Sequence, residues 1–370
     1  MYLVLGTLFI LGLGRLFTVK LQTTNNKYKI NFETLFTKPI IKITPSHYPL
    51  VTNHSRSIFI PYWANRIRED DLTYDEYYYF GIQPTKDGSI EDEIGLQNIP
   101  LVDIIPEKQK KLVLRMLDSS VTEVLLQDIT AQKTLISRVK SVLQKYSFSG
   151  LILDGEVPFT LQANKKEQIT KFVQLICTAI KSDYKTCGVL VYGDYSYRSR
   201  PYDLKALGEA ADTILIMAYD FHKAGGEPGP NFPFDRRLVL RSLDEGGSFS
   251  EGGFDYGYDF KQMISDVTAV VPKEKIEIVF GMYGYDWTMN EQGTPLKTAQ
   301  ALSLKEIQAL NSNSKTIHKN SSLEKQIEYT DEEGKKHIIW YEDEESAAVK
   351  TKYLEEQGIW QVSFWAQSYF

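Results

Sequence analysis

The chain has 370 residues, with 42 Lys and Arg against 48 Asp and Glu, a formal net charge of −6, 42% apolar and 24% charged residues. These proportions exclude wholesale disorder, a collagen-like chain and a polytopic membrane protein. The acidic balance also speaks against a nucleic-acid binder, whose footprint would be basic.

Residues 2–14, YLVLGTLFILGLG, carry no charge, and Arg15 and Lys20 follow. The run is shorter than the roughly 20 residues that span a bilayer. It also lacks the basic start and small-residue cleavage site of a strong export signal. We read residues 1–20 as a signal or N-terminal membrane anchor, which makes the protein extracytoplasmic, either membrane-anchored or secreted. The basic residues after the run argue the other way, because such residues tend to stay cytoplasmic. Residues 21–55, with the stretch TPSHYPL, are mostly polar and read as a linker.

From there the pattern alternates. Strands are expected at Ser57–Tyr62, Tyr77–Gln83, Lys111–Leu117, Gly150–Leu153, Thr186–Tyr192, Asp212–Ala218, Lys275–Met282 and Gln361–Trp365. Helical periodicity fills gaps between them. Leu135, Val139, Val142 and Leu143 share one helix face, and Ile169, Phe172, Val173, Ile176 and Ile180 share another. Strand–helix alternation predicts an α/β fold with a parallel sheet, and eight strands predict closure into a (β/α)8 TIM barrel over residues 56–370. The connection from the seventh to the eighth strand, roughly residues 287–360, is the longest. It contains a hairpin pattern around Glu333-Gly334 and then a helix ended by Gly358. We read it as a small α+β insertion over about 288–345, followed by the last barrel helix. A Gly-rich loop, 223–256, follows the sixth strand. Cys177 and Cys187 form no CxxC pair, and their spacing does not point to a disulfide, so the redox compartment stays open.

The chemistry concentrates at Phe148–Glu156, FSGLILDGE. The period of two along a strand puts Ile152, Asp154 and Glu156 on one side, facing the barrel axis. Two carboxylates there repel if both ionise, so one holds its proton at neutral pH and can act as a general acid. Taken alone, the same pair would serve as two solvated acids in a strand-end turn. Other strand ends add weight: Tyr62-Trp63, Tyr219-Asp220, Tyr283 to Trp287, and Trp365. Acids and aromatics at one rim of several strands are harder to explain as packing. The high aromatic content, 23 Tyr and 18 Phe, fits either a ring-rich core or a sugar-binding surface.

These residues resemble glycoside hydrolase family 18, the chitinase family. FSGLILDGE is similar to its active-site pattern DGxDxDxE, Met217–Asp220 to its M-x-Y-D, GMYGYDW to its seventh-strand segment, and SFWA to its last strand. GGEPGP at 225–230, YGYDW at 283–287 and IWYEDEESAAVK at 339–350 resemble the bacterial branch of spore-cortex and cell-wall lytic enzymes. The resemblance implies a substrate-assisted retaining glycosidase acting on β-1,4-linked N-acetylglucosamine polymers, chitin or peptidoglycan. Glu156 would be acid and base, Asp154 would orient the acetamido group, and Tyr219 would donate to its oxygen. Asp220, Trp365, Tyr283, Trp287, Tyr62 and Trp63 would contact sugar. A monomer is the default for this architecture, and with no P-loop and no GxGxxG after a strand no cofactor is implied; His47, His54, His318 and His337 show no metal spacing. His222 stands close behind Asp220 and is a candidate for the site's rim.

Two departures from the pattern stand out. Family members usually carry acids where this chain has Ser149 and Ile152. The inner acid normally shares a proton with the residue at position 154, which Ile152 cannot do, so a changed pH profile is expected. The third strand also lacks the family's Gly-Gly, near Asp118. A chitinase-like lectin without turnover and a structural envelope protein with a vestigial site are the alternatives.

Overall fold

The computed structural model describes residues 8–12, 15–24, 27–32, 54–90, 94–156, 164–243, 249–310, 316–319 and 322–369. The chain divides into two compact units, Met1–Val51 and Thr52–Phe370. The first is an antiparallel meander of strands Leu8–Gly12, Arg15–Thr24 and Lys27–Phe32, with Gly12 opposite Arg15 and Thr24 opposite Lys27. This corrects the linker read over 21–55: Lys27-Tyr-Lys-Ile-Asn-Phe32 alternates polar and apolar residues, the signature of a strand. The expected anchor over 1–20 finds no support, since residues 8–12 and 15–20 are strand. Among the described residues no helix is long and apolar enough to cross a membrane. Residues 33–53, His47 among them, lie outside the described residues.

The second unit is built on a closed barrel of eight parallel strands: β1 Ser55–Pro61, β2 Glu76–Ile82, β3 Lys110–Arg115, β4 Gly150–Asp154, β5 Thr186–Tyr192, β6 Thr213–Ala218, β7 Ile276–Gly281 and β8 Gln361–Trp365. They follow one another around the barrel, and β8 closes it with Gln361 opposite Ser55. All eight lie where the sequence alternation put them, within a few residues.

Phe59, Tyr78, Phe80, Val113, Ile152, Leu190, Leu215, Met217 and Val279 meet in the barrel core. The period of two fixes what lies beyond them toward the C-terminal mouth: Arg115, Asp154, Tyr192, Tyr219, Gly281 and Trp365. The opposite end is polar. There the Tyr78 hydroxyl lies 2.9 Å from Glu76 Oε2 and 3.0 Å from Glu277 Oε2, and Lys111 pairs with Glu76 at 2.6 Å. Burial pushes the Glu277 carboxyl up to about 7.

Several outer helices start at aspartate caps. Asp118 accepts from the N–H groups of Ser120 and Val121 at the head of Ser119–Leu125, and Asp128 caps Ile129–Lys145 in the same way. Asp118 is therefore a helix cap. Leu135, Val139 and Leu143 are buried along that second helix, while Val142 is half-buried. Cys177, in helix Lys165–Lys181, is bonded to Cys187 of β5 across a Cα separation of 5.3 Å. The helix turns straight back onto the next strand, and this proximity, invisible in the spacing, brings the two sulfurs together.

Between β7 and β8 lies a five-stranded antiparallel sheet in the order Gln300–Ser303, Tyr283–Met289, Lys336–Tyr341, Lys325–Thr330, Thr316–Lys319. Its hairpin turns at Gly334, φ 80°, where Asp331 Oδ1 accepts from the N–H groups of Glu333 and Lys335. The sheet begins at Tyr283, ahead of the boundary read at about 288. Helix Glu344–Gln357 follows, stopped by Gly358 in the left-handed region.

Candidate active site

Asp154 ends β4 with only 1% of its surface exposed, and its Oδ1 has no hydrogen-bond partner among the described residues. Burial first, and then the neighbouring Glu156, raise its carboxyl well above the usual range, and Arg115 opposes them. Its surroundings thus favour the protonated form of Asp154. Below it on the same strand face Ile152 is sealed in the apolar core, so no acid lies beneath Asp154 on that face to share the proton. Ser149 turns elsewhere: its Oγ donates to the Lys110 carbonyl at 3.0 Å, at the start of the strands.

Glu156 lies one step beyond the strand, half-buried, and its Oε2 accepts from the Tyr192 hydroxyl at 2.5 Å. Tyr219, at the end of β6, feels both carboxylates. Burial and then Glu156, Asp154 and Asp220 push its phenol well up, so it keeps its proton and can donate it to an oxygen nearby.

Asp220 has φ 57°, the left-handed region that favours glycine. Its conformation is fixed from several sides. Its N–H donates to Asn231 Oδ1 (2.7 Å), and Asn231 Nδ2 donates to the Gly281 carbonyl (3.1 Å). Its Oδ1 accepts from the hydroxyls of Tyr285 (2.8 Å) and Tyr283.

Trp365 ends β8 and packs its ring against Phe80 (4.7 Å), Phe59 (5.6 Å) and Trp63 (6.3 Å). The Trp365–Ala366 peptide is cis. Trp63 is 47% exposed and stands edge-on to Tyr62 at 4.8 Å, and Arg115 lies over the Tyr62 ring.

The structure thus brings Asp154, Glu156, Tyr219, Asp220 and Trp365 to one barrel mouth, with Tyr62 and Trp63 at its edge. It separates two residues from open surface. Tyr283 is 6% exposed and reaches the site through Asp220. Trp287 corrects the sequence reading: it is fully buried, donates to the Gly226 carbonyl at 3.0 Å and packs with Met289, Ala299 and Trp340. It has no face left for a sugar. The reason is that 283–289 is a sheet strand, so position 287 points into the insertion's own core. His222 is likewise taken up by its loop, with Nδ1 2.8 Å from the Pro230 carbonyl and its ring against Tyr256.

Sequence reasoning missed Tyr192, Arg115, Tyr285 and Asn231. The first two carried a usable signal, since each stands two residues after a core residue at the end of a predicted strand. Tyr285 shares the alternation of Tyr283. Asn231 had none. Among the described residues no three His, Cys, Asp or Glu side chains converge as a metal site.

The profile "Glycosyl hydrolases family 18" matches residues 113–369. The chain is 24% identical over 313 residues to the "Cortical fragment-lytic enzyme" of Bacillus anthracis, covering 82% of this chain and 66% of that one, a little under two thirds of the relative's length. Its fold is similar to that of the spore cortex-lytic enzyme SleL of Bacillus cereus, with TM-score 0.66 and 21% identity over 86% of this chain and 71% of that one. It is also similar to the Group IV chitinase of Ostrinia furnacalis, with TM-score 0.69 and 15% identity over 85% of this chain and 93% of that one. With the profile spanning well over half of the sequence, from the third barrel strand to the last, the chain belongs to family 18 of the glycosyl hydrolases.

Proposed function

We propose that residues 56–370 form a catalytic region that cleaves β-1,4-linked N-acetylglucosamine-containing glycans, and that bacterial cell-wall peptidoglycan is the substrate rather than chitin. One observation carries the reading: a buried Asp154, its carboxyl held well above the usual range by burial and by Glu156, stands beside Glu156 on one side of the barrel mouth. Two acids on one side suit substrate assistance better than attack by a carboxylate from the opposite face. The acetamido carbonyl oxygen of the sugar bonds to its own C1 as the C1–O bond to the leaving sugar breaks. The one proton that Asp154 and Glu156 share passes through Glu156 to that leaving oxygen, which leaves Asp154 ionised. Asp154 accepts from the acetamido N–H and stabilises the oxazolinium charge, and Tyr219 donates to the acetamido oxygen. Water then attacks C1, Glu156 takes its proton, and the acetamido group re-forms with C1 configuration retained.

Asp220 would bind sugar, with Tyr283 and Tyr285 holding it in place. Trp365 would floor the distorted ring, and Tyr62 and Trp63 would line the neighbouring subsites. The preference for the cell wall is supported by the cortical fragment-lytic relative and by the segments GGEPGP and IWYEDEESAAVK. The buried Cys177–Cys187 disulfide supports export to an oxidising compartment.

The test is to incubate the full chain and its Glu156→Gln variant with purified peptidoglycan and, separately, with chitin oligomers. The readouts are new reducing ends and the anomer first formed. Reducing ends from peptidoglycan, β-configured at first and lost in the variant, are expected. Binding without cleavage of either glycan would overturn the reading in favour of a lectin, for which the non-ionisable Ile152 beneath Asp154 is the supporting observation.

A further inference from the structure

The segment from Tyr192 to Tyr202 reaches the catalytic turn Asp154-Gly155-Glu156 twice. Tyr192 donates its hydroxyl to Glu156 Oε2 at 2.5 Å, and Tyr202 donates to the Gly155 carbonyl at 3.0 Å. One segment therefore holds both the side chain of the acid and the backbone beside it. The Tyr192 ring is fixed in its turn. Arg200 lies over it at 4.2 Å, and Lys223, from the loop after β6, at 5.0 Å. Arg200 cannot swing away, because Asp194 grips it through Nε (2.9 Å) and Nη2 (3.0 Å). Cations over a phenol ring draw electron density from it and favour donation of its proton to an acceptor. Among the described residues no donor is bonded to Glu156 Oε1.

We propose that Tyr192 is a positioning residue for the general acid. It fixes the Glu156 carboxyl with Oε2 occupied and Oε1 presented to the glycosidic oxygen, while Arg200 and Lys223 hold the tyrosine in its donating geometry. The inference rests on the reading of Glu156 as the acid. The groups facing Glu156 are Asp154 on its own turn, Tyr192 from β5 and Tyr219 from β6; Arg200, Lys223 and Tyr202 face Tyr192 from behind.

The test is Tyr192→Phe in the full chain, a change that removes only the hydroxyl. The probe is the 4-nitrophenyl β-glycoside of N,N′-diacetylchitobiose, assayed from pH 4 to 9. A freed carboxyl loses alignment with the leaving oxygen, so kcat falls about tenfold or more while KM stays within about twofold. Loss of a donor favours the protonated carboxyl, so the basic limb of the kcat profile moves to higher pH. A second readout does not need turnover. Labelling of Glu156 by a water-soluble carbodiimide, mapped by mass spectrometry at pH 6, runs about threefold or more faster in the variant, because protonated, unclamped carboxyls react. A uniform loss of rate with the basic limb and the labelling rate unchanged would overturn the proposal. If the wild type cleaves neither the probe nor peptidoglycan, the glycosidase reading is the one in trouble, and the labelling rates still decide the role of Tyr192.

Discussion

Lys350 is fully buried and has two carboxylates around it, Glu324 at 3.0 Å and Glu342 closer still, both themselves buried. Its Nζ also donates to the Phe232 carbonyl at 2.8 Å. Burial pushes the Glu342 carboxyl up to about 8, against the pull of Lys350. Replacing Lys350 by Met removes the only positive member. A pair of unit charges 3.0 Å apart attracts by about 5 kcal/mol at an effective dielectric of about 20. Desolvation of the lysine offsets part of that, and breaking a buried pair costs about 3–5 kcal/mol. The loss reaches the site as well. Glu324 accepts from the N–H groups of Asn231 and Phe232, and Asn231 holds the strained turn at Asp220. Lys350→Met should therefore lower the stability of the barrel unit by about 3–5 kcal/mol and also reduce kcat. Urea unfolding of the full chain, followed by near-UV circular dichroism, measures the first. Adding Glu324→Gln should recover part of the loss, because glutamine removes the orphaned charge and keeps an acceptor for Asn231 or Phe232. An unchanged unfolding midpoint in Lys350→Met, or a double variant weaker than the single one, would refute the argument.

Three further outcomes are expected. Asp154→Asn removes the ionisable group beside the reacting acetamido and should lower kcat roughly 10²-fold, with unfolding by urea little changed; activity within twofold of wild type would remove Asp154 from the mechanism. Ile152→Asp places a second carboxyl under Asp154 in a sealed apolar layer. It should cost about 2–5 kcal/mol and shift the limb of the pH–rate profile governed by Asp154 to higher pH, so an unchanged profile and rate would show that the two positions do not communicate. Glu277→Gln should be more stable than wild type at pH 8 and not at pH 4.5. The folded carboxyl sits at about 7 against an ordinary 4.5, so the unfolded chain releases its proton first. The stability held below pH 4.5 is lost as pH rises toward 7, by up to about 3 kcal/mol. Hydrogen counting agrees, since Tyr78 has one hydroxyl proton for two carboxyl neighbours and a protonated Glu277 supplies the other. Urea midpoints of both proteins at pH 4.5 and 8 decide it.

The barrel was readable because each strand announces itself locally. Val113 and Arg115, Ile152 and Asp154, and Met217 and Tyr219 are successive members of one alternation, so core and site are written in the same period. Trp287 shows where that reading fails. The aromatic at a strand's end suggested a ligand surface, but Tyr283–Met289 is a new strand with its own buried side, and only the pairing of Trp287 with Ile338 opposite it reveals which side that is. The Cys177–Cys187 bond and the Lys350 cluster were hidden for a related reason. Both depend on which elements the fold lays together, and the Lys350 contacts span up to 118 residues of sequence. Residues 27–32 failed differently: their alternation was present, and it was outweighed in the reading by the polarity of the stretch around them.

The two departures from the family pattern separate once side chains are placed. Ser149 and Ile152 looked like a double loss of acids from the active-site strand. Ser149 spends its hydroxyl on the Lys110 carbonyl at the far end of the barrel and has no path to the substrate. Ile152 is the consequential change, because it lies directly under Asp154. In the family pattern an inner acid helps to hold a proton on the residue above it. Here an apolar floor and 99% burial raise the Asp154 carboxyl, and the adjacent Glu156 raises it further. Burial can replace a charged partner in keeping a carboxyl neutral. It cannot supply a second acid below Asp154 for that side chain to turn toward. An Asp154 above Ile152 has no acid below it to turn to, so it should stay aligned with Glu156 whether or not a sugar is bound. The same logic makes the Tyr192 clamp on Glu156 useful: with both acids held in one arrangement, the site is organised before the substrate arrives.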